Sequence, residues 1–412
     1  MAEIQAKKGI KALNWLNFFA ADISTGVGPF LAVYLTANQH WKAGQIGIAL
    51  SAMSFSAVVA QSIAGYIVGK TTRKRIPIII ATIVLGVLSF SIPFFPSFKY
   101  IVCAQIIMGV ASAFYMPTLI ALAASLSGKN EFDGVISKNQ SYNHAGNVIS
   151  AIFIGLVGRY TNNEGIFYCL LTLAVFCTIS ALSIPQNEIK QNTFEAESKS
   201  PGNAKNSLLE VLKYKQLLIF LTVAFSFHLA NGAMLPLAGR AVSLGGKTEN
   251  ASLYLSACVI VAQLVMVPVC YICGKQVHKG RKWLLMIAYI VLPIRALLYT
   301  FNANPYYLVS VQVLDGVAAG IFGVVSILMV SDLMENSSNA IFAQGLLITV
   351  ADLGGSLSNV MSGFIVDAAG FPTAFYVLSA IAFAAMLLLW FAVPETMHHH
   401  QEDELPGQLK PA

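Results

Sequence analysis

Long apolar runs, separated by short polar loops, follow one another along almost the whole chain and leave few folds open to it. We count twelve runs, each long enough to cross a lipid bilayer as a helix. Their approximate spans are 12–36, 43–68, 76–95, 100–126, 136–158, 165–185, 215–238, 250–273, 283–301, 305–331, 340–367 and 371–393. Only 11% of the 412 residues are charged, against about 25% in soluble proteins. The sequence therefore predicts an all-α membrane protein with twelve transmembrane helices.

Lysine and arginine are distributed unevenly between the loops. With twelve crossings, most of them fall on one side, in the segment before the first run, the loop 70–75, the loop between the fourth and fifth runs, the polar stretch that precedes the seventh run and the loop 275–282. Because cytoplasmic loops carry an excess of these residues, we expect both termini to lie in the cytoplasm. The net charge of +6 comes from these loops and gives no reason to expect nucleic-acid binding.

Short motifs recur at a nearly constant distance along the chain. Gly109-Val-Ala-Ser-Ala and Gly316-Val-Ala-Ala-Gly lie 207 positions apart, as do Pro29 and Pro236. Matches at one offset indicate a duplicated six-helix unit. The predicted division is an N-terminal six-helix bundle (1–185), a cytoplasmic linker (186–214), a C-terminal six-helix bundle (215–394) and a cytoplasmic tail (395–412).

The first run carries an acid where the bilayer is most hostile to charge. Asp22 lies near the predicted midplane, and Gly26, Gly28 and Pro29 weaken the helix just beyond it. A carboxylate at that depth costs about 2.5 kcal/mol or more on insertion scales. Freed backbone groups are tolerated there only beside protein or a wet cavity. We expect this helix to line a polar pathway; the alternative is a kinked helix whose acid only pairs with a neighbour.

Polar residues are concentrated in particular runs. The first, fifth, seventh, eighth, tenth and eleventh runs carry polar stripes, whereas the third, sixth and twelfth carry almost none. The former should line a cavity and the latter should face lipid. For any single Asn or Ser, an interhelical hydrogen bond is an equal explanation. The candidate residues of a solute and proton pathway are Asp22, Thr25, Asn143, His144, Asn147, His228, Asn231, Asp315, Asp352 and Asn359.

Arg295 is the one charge well inside the ninth run, which otherwise looks peripheral. We expect it to form a structural charge pair with Asp315 of the next run. The alternative is that its long side chain reaches the membrane interface.

The loop after the second run carries a family resemblance. Its sequence is Gly65-Tyr-Ile-Val-Gly69-Lys70-Thr-Thr-Arg73-Lys74-Arg75, which resembles the G-x-x-x-D-R-x-G-R-R/K loop of the major facilitator superfamily. Here Gly69 replaces the acid that helps to latch the two halves of the family's fold in the outward-facing state. The resemblance implies a gating loop formed by Gly65, Gly69, Arg73, Lys74 and Arg75, with a weaker or differently built latch.

The resemblance implies a secondary active transporter of the bacterial inner membrane that moves a small organic solute by alternating access. We see no nucleotide site or catalytic triad, so we expect no enzyme activity and energy from an ion gradient. Asp22, Asp315 and Asp352 are candidate proton carriers, together with His228, which can titrate near neutral pH. We expect protons, the solute and lipid as partners, no cofactor, no metal site and a monomer.

Three alternatives stay open. One is a drug or metabolite efflux antiporter, although the fifth run lacks the glycine-proline motif typical of the family's drug/proton antiporters. Another is a siderophore or organic-acid transporter. The third is a non-transporting membrane sensor on a transporter scaffold, against which the short linker counts.

Overall fold

The computed structural model describes residues 2–23, 28–127, 132–186, 213–244, 251–276, 279–302, 304–334 and 340–396. This part of the chain is helical and contains no β-strand. The helices are α1 (Ala2–Ile23), α2 (Gly28–Ala37), α3 (Ala43–Lys70), α4 (Arg75–Ser91), α5 (Phe98–Ser112), α6 (Tyr115–Ser127), α7 (Phe132–Tyr160), α8 (Gly165–Leu182), α9 (Lys215–Asn231), α10 (Met234–Leu244), α11 (Ala251–Gln276), α12 (Arg281–Phe301), α13 (Pro305–Leu333) and α14 (Ala340–Ala392). The predicted all-α fold is confirmed.

Ten segments of the described chain are long and apolar enough to cross a membrane. The last of them, Ala343–Ala392, is 50 residues long and is interrupted at Gly370, whose φ of 83° is not helical. Glycine adopts such a φ without a steric penalty, and the chain can cross twice here. α7 does not belong to the ten because it is too polar. The helices are thus consistent with twelve crossings.

Three of the crossings are made of two helices each. α1 is followed by α2, α5 by α6, and α9 by α10. Residues 24–27 lie outside the described residues, and α2 begins at Gly28, whose positive φ of 47° is not helical, directly before Pro29. Asp22 lies next to Ile23, the last described residue of α1.

The two halves meet along three pairs of helices. α3 contacts α14, α7 contacts α11, and α2 contacts α10. A shift of 207 positions converts α3 into α11, α7 into the first part of α14, and α2 into α10, so the interface has the approximate two-fold symmetry of the sequence repeat. The boundaries 1–185, 186–214, 215–394 and 395–412 stay a prediction, since 187–212 and 397–412 lie outside the described residues.

Candidate functional site

A cavity of about 440 Å³ lies between α1, α3, α5, α6, α7 and α14, and we call it the polar cavity. Its polar lining residues are Asn17, Gln61, Ser112, Tyr115, Asn139, Gln140, Asn143, Asn147 and Asp352. Among the described residues that line it, Asp352 is the only charged one. Six carboxamides from the predicted first half thus share the cavity with a carboxylate of the predicted second half.

The close approach of α1 and α7 builds one wall of the polar cavity. A Cβ added at Gly146 would overlap the carbonyl group of Phe18, so only glycine permits these two backbones to touch. At this contact the Asn143 side-chain amide donates to the Asn17 carbonyl oxygen at 3.4 Å. Asn147 Nδ2 lies 3.5 Å from Asn143 Oδ1. The i, i+4 spacing on α7 therefore produces a continuous row of amides along the cavity.

Asp22 lies at the same helix contact, one turn beyond Phe18. The Ser150 hydroxyl bonds to its carboxylate and also lies 2.6 Å from the Gly146 carbonyl oxygen. Ala20 and Ala21 line the polar cavity, whereas Asp22 is directed towards α7 beside it. Thr25, which was predicted to continue this face, lies outside the described residues.

A second cavity, of about 300 Å³, is lined by the buried Arg295 and by Asp315, and we call it the arginine cavity. Its polar lining residues are Ser54, Gln105, Asn231, Arg295, Asp315 and Asn359. Arg295 Nη1 lies 2.6 Å from Asp315 Oδ1 and 2.5 Å from Asn231 Oδ1. Its Nη2 donates to Gln312 Oε1 at 3.1 Å. The guanidinium is therefore held by an acid and two amides.

The two cavities lie at successive depths. On α3, Ala57 and Gln61 line the polar cavity, and Ser54, one turn earlier, lines the arginine cavity. On α14, which runs in the opposite direction, Asp352 lines the polar cavity and Asn359 the arginine cavity. The polar cavity is thus nearer to the end where α3 meets the loop 70–75, which we call the linker side. The opposite end is the far side.

The halves are joined at the far side. Both oxygens of the Asp367 carboxylate accept from backbone amides at the start of α3, at 2.7 Å from Ala43 N and 2.6 Å from Gly44 N. Free amides at a helix start carry a partial positive charge that favours an acid. Arg240 Nη2 also donates to the Trp41 carbonyl oxygen at 3.2 Å, and Ser252 bonds to Asn163. These four links cross between the halves.

Glycines bring the helices together at the same interface. A Cβ at Gly47 of α3 would overlap the Asn359 carbonyl of α14, and one at Gly363 would lie 2.5 Å from the Ala43 carbonyl oxygen. On the symmetry-related pair, a Cβ at Gly158 of α7 would lie 2.8 Å from Ser252 Cβ of α11. The far side is therefore closed by backbone contact.

The predicted pathway residues separate into groups. Asn143, Asn147 and Asp352 line the polar cavity, and Asn231, Asp315 and Asn359 the arginine cavity. His144 Nδ1 lies 3.2 Å from Gln263 Oε1 of the opposite half. His228 stacks edge-on against Phe322, with ring centroids 5.0 Å apart, and is not among the lining residues of either cavity.

The prediction of which runs line the cavity needs correction. The second and fourth runs contribute Gln61 and Ser112 to the lining. These two residues do not belong to polar stripes, so the pattern of stripes did not predict them. The eighth run supplies Ser252 and Ser256 to the contact with α7 instead of to either cavity. The ninth run is not peripheral at Arg295, whose exposed fraction is 1%. A polar stripe indicates that a helix face is turned away from lipid, but not whether that face lines a water-filled cavity or packs against another helix.

The predicted gating loop makes its contacts within its own half. Lys74 Nζ donates to the Val68 and Gly69 carbonyl oxygens at 2.9 and 3.0 Å, at the end of α3. Arg75 Nη1 donates to the Ile184 carbonyl oxygen at 2.9 Å, just after α8. A Cβ at Gly65 or Gly69 would meet nothing within 4 Å. These hydrogen bonds fasten α3, α4 and α8 together.

Comparison with known proteins identifies the family. The family model described as Major Facilitator Superfamily matches residues 13–294 and 272–410. An uncharacterized MFS-type transporter of Mycobacterium tuberculosis, Rv2456c, is 34% identical over 391 residues, which is 94% of this chain and 93% of that protein. The uncharacterized transporter YwbF of Bacillus subtilis is 21% identical over 56% of this chain and 55% of its own.

Solved structures show the same fold. A crystal structure of a point mutant of the nucleoside transporter NupG superposes with a TM-score of 0.76 over 93% of this chain and 99% of that chain, at 15% identity. A second crystal structure of NupG has a TM-score of 0.70 at 17% identity, over 93% and 98% of the two chains. With these bacterial relatives and its membrane-spanning helices, the chain belongs to the major facilitator superfamily and is a multi-pass membrane transporter, not an enzyme.

Proposed function

We propose that this chain is a proton-coupled secondary transporter of a small, neutral polar organic solute, which binds in the polar cavity. The lining of that cavity carries the proposal. Asparagine and glutamine each offer donors and acceptors, which suits hydroxyl groups, amides and heterocycles. A volume of about 440 Å³ lies in the range of small-molecule sites. An anionic solute would meet Asp352, and no cation is among the described residues that line the cavity, which argues against organic acids and anionic siderophores.

Alternating access would follow from rocking the halves about the site. In the present state the far side is joined through Asp367 and the glycine contacts, and the polar cavity lies on the linker side. With the predicted orientation this is the inward-facing state of a transporter whose termini are cytoplasmic. Opening the far side would break the two hydrogen bonds to the start of α3.

Asp22 and Asp352 are the acids that we assign to proton coupling. Asp352 lines the cavity, and Asp22 lies beside it against Ser150. Asp315 is already engaged by Arg295, and His228 packs against an aromatic ring away from both cavities. A proton bound by Asp22 or Asp352 would lie close enough to the solute to link the two.

Efflux of an amphipathic compound is the second candidate. Met116, Leu119, Ile120 and Ile348 give the polar cavity an apolar wall. Such a wall would suit a compound with an extended apolar surface. A non-transporting sensor has no comparable feature in its favour among the described residues.

Transport by the purified protein in liposomes tests the proposal. The panel contains neutral polar solutes, a dicarboxylate and a cationic amphipathic drug, each measured with and without a pH gradient. Nucleosides belong in the neutral group on chemical grounds, and NupG, which shares the fold, is a nucleoside transporter. We expect a neutral solute to accumulate only with the gradient. Preferential movement of the dicarboxylate, or accumulation indifferent to the gradient, would contradict the proposal.

Variants of two lining asparagines test whether the solute binds in the polar cavity. Asn143→Ala and Asn147→Ala should each weaken apparent affinity by about tenfold, since a lost hydrogen bond is worth about 1 kcal/mol or somewhat more. Asn302→Ala, the same change at an exposed position after α12, is the matched control and should leave affinity unchanged.

A further inference from the structure

A groove of about 680 Å³ runs along the outer face of the predicted first half, between α3, α4 and α5. Its apolar lining includes Ile67, Ile76, Ile80, Ile107, Val110 and Phe114. Ile80 is 57% exposed and Ile107 is 51% exposed. No residue lines both this groove and the polar cavity. We call it the lipid-facing groove.

Two cations lie at one end of this apolar surface. Lys70 and Arg73 line the groove where α3 ends and α4 begins. The Lys70 ammonium lies 4.4 Å from the centre of the Tyr66 ring. The Arg73 side chain is exposed and makes no hydrogen bond or ion pair with any other residue that the structure describes, although its backbone carbonyl accepts from Ile76 N at 3.0 Å. Lys74 and Arg75, by contrast, donate to helix-end carbonyls. The Arg73 guanidinium is therefore not used to hold the loop together.

The described part of the second half does not reproduce this cation pair. There, Lys275 lies 4.3 Å from the centre of the Tyr271 ring, as Lys70 lies over Tyr66, although this pair is 205 and not 207 positions further along the chain. The position 207 residues after Arg73 is Gly280, which has no side chain to offer. The following residue, Arg281, is already paired with Asp332. The second loop thus provides the lysine without the free guanidinium.

We propose that the lipid-facing groove binds one anionic phospholipid from the leaflet on the linker side. An acyl chain would lie against Ile80, Ile107 and Val110, and the phosphate would lie between Lys70 and Arg73. Guanidinium groups bind phosphate through two parallel charge-assisted hydrogen bonds. Basic pockets between transmembrane helices at the cytoplasmic side suit anionic head groups. A zwitterionic lipid would bring its own cation to the same place and gain less.

Native mass spectrometry of the full-length chain, released from mixed vesicles, tests the site. The probe is dioleoyl phosphatidylglycerol, in competition with dioleoyl phosphatidylcholine. We expect the phosphatidylglycerol adduct to dominate for the unaltered chain. Arg73→Gln and Lys70→Gln should each reduce this preference by about fivefold, the effect of one cation near a charged membrane surface. Val110→Trp, which fills the groove without changing charge, should reduce the retention of both lipids.

Lys275→Gln is the matched control, because it removes a lysine that lies over a tyrosine ring in the same way but outside the groove. It should leave the preference intact. Equal binding of the two lipids by the unaltered chain would overturn the proposal, as would a preference that survives the double change at Lys70 and Arg73. An equal loss in the Lys275 variant would show general surface attraction instead of a site. If soluble glycerol phosphate competed as effectively as the lipid, the acyl chain would not contribute to binding, and that part of the proposal would be excluded.

Discussion

A single buried arginine shows how the protein accommodates charge inside an apolar helix. Arg295 is 1% exposed, yet Asp315, Asn231 and Gln312 all lie within hydrogen-bonding distance of its guanidinium. Tyr299 OH, one turn along α12, lies 3.3 Å from Nη2. Burial of a charge is tolerated when an opposite charge and further hydrogen bonds satisfy it. The cost of the arginine is therefore offset by three helices, α9, α12 and α13.

Removing one member of this pair should cost more than removing both charges. Arg295→Ala should lower the free energy of unfolding by about 3–5 kcal/mol, because it leaves Asp315 charged and unpaired. Adding Asp315→Asn should recover part of that loss. Denaturation of the purified variants in mixed micelles, arranged as a double-mutant cycle, measures the coupling. Arg159→Ala, at an exposed cation, is the control, and strictly additive losses for Arg295 and Asp315 would exclude the pair.

Asp22 is the acid on which we expect gradient-driven transport chiefly to depend. Asp22→Asn keeps the shape and can still accept from Ser150, so the variant should fold and insert. It should lose accumulation driven by a pH gradient, because an amide cannot carry the proton, while solute exchange continues. Transport assays in liposomes with the purified variant distinguish these two activities.

The exposed acid Glu164 provides the control for this substitution. Glu164→Gln should transport as the unaltered chain does. If Asp22→Asn accumulates solute fully, Asp22 only anchors the break between α1 and α2, and the coupling role passes to Asp352, which lines the polar cavity.

At the scale of helices, the contact of α3 with α14 joins the two halves at the far side. Gly47 and Gly363 permit the two backbones to touch, and the Asp367 carboxylate accepts from the first amides of α3. Close-packed contacts of this kind do not deform gradually. A small side chain at the contact must therefore separate the helices or strain them.

Gly47→Ala should shift the protein away from the state in which the far side is closed. Its methyl group would overlap the Asn359 carbonyl, and overpacking costs about 1–3 kcal/mol, enough to change the population about tenfold. Spin labels at His40 and Thr373, on opposite halves at the far side, should report a longer distance. Gly65→Ala, on the same helix with nothing within 4 Å of its Cβ, should leave the distance unchanged. An unaltered distance in Gly47→Ala would contradict the importance of this contact.

At the scale of the whole molecule, the two halves form one transporter with its cavity on the linker side of a closed contact. The distribution of lysine and arginine predicts that the linker side is cytoplasmic. Orientation determines whether the described state faces inward or outward, and so how solute reaches the polar cavity.

Cysteine labelling measures this orientation directly. In a chain without its native cysteines, a cysteine replacing Asn302 should react with an impermeant thiol reagent in whole cells, and one replacing Ser198 should not. Asn302 follows α12 at the far side, and Ser198 lies in the predicted linker. The reverse pattern of labelling would overturn the orientation.

The length and polarity of each segment were sufficient to predict the architecture. Crossing length and charge content are local properties set against a bilayer of fixed thickness, so the all-α fold could be predicted without any tertiary information. The non-helical backbone at Gly28 was equally local, because glycine and proline weaken a helix wherever they occur. The pairing of Arg295 with Asp315 could also be predicted in this way, because the two residues lie on consecutive helices.

The meeting of distant residues was decided by the rotation and packing of whole helices. Asp367 caps a helix that begins 324 positions earlier in the chain, and nothing in the sequence around either residue indicates this. Gln61 and Ser112 line the polar cavity, while His228 packs against Phe322. Each of these outcomes depends on a helix turning one face towards water and another towards a neighbour. Periodicity identifies a buried polar face, but the partner of that face is chosen only when the two halves come together.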